Sequence, residues 1–327
     1  VTTRSLTSSR AGLTLTEALI ALFVAAIGMI ALMTLFPLGA LQMGQALKDS
    51  RTSQLAEQAD GIMRWYWREF VLTGSDSVLW EAMTDPDAGE PTFPSASQSE
   101  ISYPVFVDPM GWVARPDPFR NWIGDNYAGN NPTFGLPRRT LFQFNNPFYP
   151  GGITNTRQAI EFCSLLDDLT YGDDGLPPSG TIERQGRYNW LAVLQRPRNG
   201  VRESADLTIV VFDGRAPGYA PIGSEMRFGN VNLTPGTTAV IITFTGERPP
   251  ITKGRWLMDA TTQSGSRILR HANFYRVVSV VEEANGQLFV ELQEPIRTSD
   301  NQPAPYTGTL VLMPGVAEVF RRPPLTP

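Results

Sequence analysis

ALIALFVAAIGMIALMTLFPLGAL, residues 18 to 41, is a run without a single charged side chain. At about 1.5 Å of rise per residue, a helix of this length crosses a hydrocarbon layer of about 30 Å. A core helix of a globular protein keeps a polar stripe, whereas this run is apolar on every side. The reading is therefore a membrane-spanning helix, and the rest of the fold is read outward from it. On the C-terminal side, Leu47, Arg51, Leu55, Ala59, Ile62, Met63, Tyr66 and Phe70 recur at three to four residues. Gln42, Lys48, Asp49, Gln54, Glu57 and Gln58 fill the wetter faces. That period continues the helix as an amphipathic half to about Leu72. Trp65, Tyr66 and Trp67 lie too far from the apolar run to form an interfacial belt and are expected to pack against a globular head.

On the N-terminal side, residues 1–12 are polar, carry Arg4 and Arg10, and contain no acid. Gly12-Leu13-Thr14-Leu15-Thr16-Glu17 then leads straight into the apolar run. This arrangement resembles the processing site of type IV prepilins: a basic leader, a glycine, an apolar first mature residue and a glutamate at the fifth. The wording of Ala18–Leu22 and Ala26–Leu32 is similar to the V-type minor pilins and the minor pseudopilins of type II secretion. The resemblance covers roughly residues 10–60, and Thr16 departs from the aliphatic residue often found there. It implies cleavage between Gly12 and Leu13 by a membrane-embedded prepilin peptidase, with methylation of the new Leu13 amino terminus. A cut placed there keeps the apolar helix, whereas a secretory signal is removed with its apolar region. The resemblance also implies other pilin-like subunits and an inner-membrane assembly platform as partners. The helix would sit in the lipid of the inner membrane in a single pass, with the head outside the cytoplasm.

Two residues in this segment ask for a physical account. A carboxylate at the lip of an apolar helix costs a few kcal/mol unless it is paired or reaches the headgroups. For Glu17 the resemblance implies pairing with the amino terminus of a neighbouring subunit, which would set axial register as a buried polar residue does in a coiled coil. Pro37 lacks an N–H and crowds the carbonyl of Met33, so a kink or a locally unwound stretch is expected there. A proline tolerated in an intact membrane helix is the other reading.

The remainder divides by pattern. Residues 73–185 are rich in Pro, Gly, Asn and Asp, and long loops with short strands are expected, with one helix near Thr156–Leu169. From Tyr188 onward, Tyr188–Gln195, Leu207–Asp213, Thr238–Thr245, Tyr275–Glu282, Gln287–Glu294 and Gly308–Met313 are short β-branched and aromatic runs bounded by turn residues. Asn285-Gly286 marks a hairpin, because both residues tolerate positive φ. A last strand, Val316–Phe320, would pair back after a Pro314-Gly315 turn. The fold class is α+β: leader 1–12, long helix 13–72, and a β-rich, loop-rich head 73–327 with a possible internal boundary near residue 185.

Composition narrows the function. Apolar residues make up 42% of the 327, enough for a substantial core. A formal net charge of -5 without a basic run argues against nucleic acid as a partner. One cysteine, Cys163, excludes an intrachain disulfide, and one histidine, His271, excludes a two-histidine metal site. His271 reads as a surface or hydrogen-bonded structural residue and Cys163 as a small buried hydrophobe. No G-x-S-x-G, H-E-x-x-H, P-loop or dinucleotide fingerprint occurs. No cofactor is expected; Asp167, Asp168, Asp173 and Asp174 form an acidic loop that raises calcium in the head, although the spacing matches no EF-hand. Asn232-Leu233-Thr234 has the form of a glycosylation triplet.

The expectation is a structural subunit, a minor pilin or pseudopilin of a type IV filament-like assembly, with no reaction of its own. Two alternatives stay open: a membrane-tethered hydrolase with an unrecognised site, and a secreted binding protein cut at Gly44-Gln45-Ala46.

Overall fold

The structure is a computed structural model and describes residues 14–73, 79, 83, 104–114, 122–123, 136–141, 153, 155–165, 186–195, 204–215, 225–263, 269–283, 286–297 and 305–327. It has two compact units, Val1–Arg51 and Thr52–Pro327. Helix α1, Leu15–Tyr66, runs through both. A π-helical turn, Trp67–Val71, ends it, with the Leu72 N–H donating to Trp67 O at 3.0 Å. The helix is uninterrupted at Pro37, so the unwound stretch considered there does not form. A proline removes one ladder hydrogen bond, and the bonds on either side suffice to carry the helix past it.

The first unit is this helix alone among the described residues, and its large apolar side chains are exposed from Leu15 to Leu47. It is the single helix among the described residues long and apolar enough to cross a membrane.

The second unit is the β-rich head, which takes in the outer part of α1 and two six-stranded sheets. Its strands are β1 Val105–Val107, β2 Trp122–Ile123, β3 Leu136–Arg139, β4 Tyr188–Gln195, β5 Ala205–Asp213, β6 Met226–Leu233 and β7 Ala239–Thr243. They continue with β8 Trp256–Asp259, β9 Thr262–Gln263, β10 Leu269–Arg270, β11 Asn273–Glu283, β12 Gln287–Leu292, β13 Tyr306–Leu312 and β14 Val316–Leu325. Its described helices include α2 Pro109–Ala114 and α3 Thr156–Cys163. The latter, expected to reach Leu169, stops at Cys163, where Ser164 turns to extended backbone (φ -104, ψ 168); residues 166–169 lie outside the described residues.

The first sheet has the order β14-β5-β4-β1-β3-β2. Strict alternation gives it two buried faces. Trp190, Ala192 and Leu194 of β4, with Leu207, Ile209 and Val211 of β5, meet Leu55, Ala59, Met63, Tyr66 and Trp67 of the helix. The intervening Leu191, Val193, Val210 and Phe212 face Met258, Phe274 and Val311 of the second sheet. The amphipathic half of α1 thus begins to be covered at Thr52 and Leu55; Leu47, expected in the same stripe, is 55% exposed. Of the three aromatics expected to pack, Tyr66 and Trp67 are buried, whereas Trp65 is exposed and meets Phe70 edge-on. Arg64 ties the helix to the last strand, donating to Pro323 O at 2.7 Å and Pro324 O at 3.2 Å.

The second sheet, order β6-β13-β8-β11-β12-β7, is antiparallel throughout and carries its own core of Val240, Ile242, Leu257, Tyr275, Leu288 and Leu310, among others. Its outermost strands, β6 and β7, approach each other, so the sheet curls round that core without closing. The hairpin at Gly286 (φ 70) forms as its sequence implies, with Glu283 opposite Gln287; Asn285 lies outside the described residues. The last strand differs from expectation. β14 does not fold back on β13; at Gly315 (φ 81) the chain crosses between sheets, and β14 pairs with β5.

Candidate functional site

Three places among the described residues concentrate chemistry. The first is the start of α1. Thr14 precedes the first helical residue, its N–H donates to Glu17 Oε2 at 3.0 Å, and its hydroxyl donates to the same oxygen at 3.0 Å. Glu17 N–H returns to Thr14 Oγ1 at 3.4 Å. This is the reciprocal capping box of a threonine followed three residues later by a glutamate, and it satisfies donors that a helix start otherwise leaves open. Negative charge in the first turn also favours the helix dipole. Sequence reading singled out Glu17 for a neighbour's amine; its contact within the chain is with Thr14, a signal that the T-x-x-E spacing did carry. Gly12 and Leu13 lie outside the described residues, and Pro37 sits within the helix.

The second place is a buried ionic cluster under α2. Asp108 is the residue before that helix, and its Oδ1 accepts from Gly111 N at 3.1 Å, as an N-cap does. Arg215 reaches it with Nη1 at 2.8 Å from Oδ1 and Nη2 at 2.5 Å from Oδ2. Arg138 Nε lies 3.0 Å from Oδ2, a charge contact rather than an aligned hydrogen bond, and Arg138 Nη2 donates to Glu225 at 2.6 Å. Asp108, Arg138 and Arg215 have no exposed side-chain surface. Burial pushes the Asp108 carboxyl up, but Arg215 and Arg138 outweigh it and hold the group below its ordinary value. The packing leaves no room: a Cβ at Gly111 would collide with the Asp108 carboxylate and come within 2.8 Å of Arg138 Cδ and Nε. Two acids matched to two arginines make a buried, charge-balanced network joining β1, β3, β5 and the start of β6. Cys163 lies in the adjoining core, fully buried, and burial with the Asp108 charge pushes its thiol well up.

The third place is Asp259 at the end of β8. It is fully buried and accepts from Thr261 N at 3.0 Å, from the Thr261 hydroxyl, and from Tyr306 OH at 2.8 Å. His271 Nδ1 lies 2.9 Å from Asp259 Oδ2 and, facing an acceptor, carries the proton. Burial and the Asp259 charge drive the Tyr306 phenol far up. His271 is therefore a buried, hydrogen-bonded residue, one of the two readings its sequence allowed. Its Nε2 has no hydrogen-bond partner among the described residues. An Asp–His pair of this kind can orient a base, yet no described group stands at Nε2 to be activated. What the cluster does is close the base of the β9–β10 hairpin, where His271 N–H donates to Thr261 O at 2.9 Å.

Of three clefts among the described residues, two are mainly polar and the third is walled about equally by polar and apolar groups. One of about 530 Å³ lies over Thr261, walled by Arg227, Thr307, Thr309 and a bulge at Gly229–Asn230, where Asn230 takes φ 56. Another, about 240 Å³, opens between the sheets beside Asp206, Arg297 and Arg321. Arg297 and Arg321 share Glu294, at 3.6 and 2.9 Å, and the Arg321 hydrogen bond holds its carboxyl low. The third, about 580 Å³, lies between β6 and β7. No three His, Cys, Asp or Glu side chains converge as a metal site among the described residues. The acidic loop Asp167, Asp168, Asp173 and Asp174, considered for calcium, lies outside them.

No family model and no curated protein matches the chain. Among solved structures, a phage phi92 endosialidase is similar over 42% of this chain and 18% of its own, at 11% identity and a TM-score of 0.18. That superposition is too poor to bear on fold or function.

Proposed function

We propose that the chain is a membrane-anchored structural subunit of the type IV pilin-like group, a minor pilin or pseudopilin, and that it carries out no reaction. The observation behind this reading is the division of one helix. The large apolar side chains of α1 up to Leu47 stand exposed, whereas from Thr52 the same helix supplies Leu55, Ala59, Met63 and Tyr66 to the core of a β-rich head. A bare apolar half-helix needs lipid or other such helices to cover it, and continuity with a packed half couples whatever the anchor joins to the head. Together with Gly12, Leu13 and Glu17, this supports maturation by prepilin peptidase, retention in the inner membrane with the head outside, and assembly with other pilin-like subunits on a membrane platform.

Co-expression of the full chain with a prepilin peptidase tests the reading. Mass spectrometry is expected to find a mature chain beginning at an N-methylated Leu13 in the membrane fraction. A chain beginning at Leu47, or a leader left uncut by an active peptidase, would refute it.

A further inference from the structure

Asn230 is the single non-glycine residue with positive φ (56) among the described residues. Backbone of this kind costs energy and collects where a chain clamps a ligand. It belongs to the bulge of β6. Gly308 lies opposite Val231 and Leu310 opposite Phe228, so Gly229 and Asn230 together face Thr309 alone. Thr309 offers them nothing. Its N–H donates to Thr261 Oγ1 at 3.0 Å and its carbonyl accepts from Ala260 N at 2.9 Å, both on the side away from β6. A bulge leaves a residue outside the ladder, and a step into the left-handed region turns successive N–H groups toward one side, a concavity that suits an anion.

The side chains around this bulge are donors. Arg227, opposite Val311, shares one face of the sheet with Thr309 and Thr307. With Asn230 they wall the cleft of about 530 Å³, which also has Thr261 and Gly308 in its lining. A Cβ at Gly308 would collide with Thr261 Oγ1, so this part of the wall is bare main chain. No carboxylate lines the cleft among the described residues. Other exposed arginines of the head have acids beside them: Arg248 has Glu282, Arg276 has Glu318, and Arg297 and Arg321 share Glu294. Arg227 is exposed and has no acid partner among the described residues, in a chain of net charge -5. The cleft is therefore a pocket of positive charge and unspent donors. Its volume lies within the range of small-molecule sites, about 300–1,000 Å³, and exceeds what a bare ion fills. Its mainly polar walls give an acyl chain or an aromatic ring little to pack on.

We propose that this cleft binds a water-soluble phosphate ester, with the phosphate held by Arg227, the Asn230 amide, the Thr309 hydroxyl and the N–H groups of the bulge. A phosphate monoester presents three strong acceptor oxygens. A guanidinium fork, an amide, a hydroxyl and main-chain N–H groups supply donors to all of them from two strands, more than the two oxygens of a carboxylate use. The polar body of the ester lies toward Thr307.

The test uses the full chain in micelles of a non-ionic detergent and phosphate-free buffer, with glycerol phosphate as the probe. Isothermal titration calorimetry is expected to show saturable binding of the ester, weaker binding of inorganic phosphate and none of glycerol. Arg227→Ala alters an exposed residue without an ion pair, so it is expected to melt like the natural chain while binding about tenfold more weakly, as loss of a hydrogen bond to a charged group requires. Thr309→Val removes the hydroxyl at constant shape and is expected to weaken binding likewise, with an unchanged melt. Absence of binding, or binding unchanged in both variants, would overturn the proposal. Inorganic phosphate bound as tightly as the ester would overturn it too, by reducing the cleft to a site for a bare anion.

Discussion

Arg215 holds Asp108 through two parallel hydrogen bonds, 2.8 and 2.5 Å, across 107 residues of chain and without solvent contact on either side chain. A buried pair of this kind adds little net stability against an apolar replacement, but losing one member strands the other. Asp108→Asn leaves two arginines facing Glu225 alone and is expected to cost about 3–5 kcal/mol. Urea unfolding of the full chain in micelles, followed by tryptophan fluorescence, reads this directly. A cost below about 1 kcal/mol would mean that the cluster relaxes to water when opened.

The same pair sets an acid limit. The carboxyl of Asp108 is lower in the folded chain than in the unfolded one. Its contribution is therefore complete above the unfolded value of about 3.9 and is lost as pH falls below it toward the folded value. On the alkaline side, burial raises the Tyr275 phenol to about 12 and Tyr306 further. The unfolded chain ionises from about pH 10 while the folded one does not, so stability is expected to fall as pH rises from there. Melting temperature against pH should show both slopes, and Asp108→Asn should flatten the acid one.

Cys163 offers a probe of the head core. Its thiol is fully buried, and burial with the Asp108 charge keeps it protonated well beyond the ordinary range. Reaction needs the thiolate and access together. The folded chain is expected to resist a thiol reagent at pH 8 and to react fully in denaturant, which a colorimetric thiol assay distinguishes. Fast labelling of folded protein would mean that the core around α3 opens freely.

The uneven legibility of the sequence follows from where each signal is stored. The apolar run, the strand Tyr188–Gln195 and the turn at Gly286 are local patterns, and each appears where it was read. Strand β6 is hard to read because Gly229 and Asn230 together interrupt the alternation of Phe228, Val231 and Leu233, and the bulge there gives the physical reason. Strand β3, Leu-Pro-Arg-Arg, carries no alternating pattern to mark it as one of the short strands expected in residues 73–185; Arg138 is buried there because Asp108 and Glu225, distant in sequence, receive it. The pairing of β14 failed for a related reason. Pro314-Gly315 announces a turn, but which sheet the chain enters next depends on the free edge of β5. His271 could be read as hydrogen-bonded, yet nothing in its neighbourhood points to Asp259 twelve residues earlier.

The helix start allows charge and capping to be separated. Under the proposed function, Glu17 serves assembly through its charge; within the chain it also closes the box with Thr14. Glu17→Val removes both and cannot tell them apart. Glu17→Gln keeps an acceptor at the third helical position, which a capping box accepts, and removes only the charge. Thr14→Ala does the reverse, at a cost of about 1 kcal/mol to the first turn. All three changes lie far along α1 from Leu55, the first apolar residue of the helix in the head core, so head stability is expected to be unchanged. If charge governs assembly, Glu17→Gln should enter filaments or complexes as poorly as Glu17→Val, Glu17→Asp should be intermediate, and Thr14→Ala should be near normal. Cross-linking of membrane fractions that contain both variant and natural subunits measures this. Normal entry of Glu17→Gln with failure of Thr14→Ala would reassign Glu17 to building the helix start, with no part for a neighbour's amine.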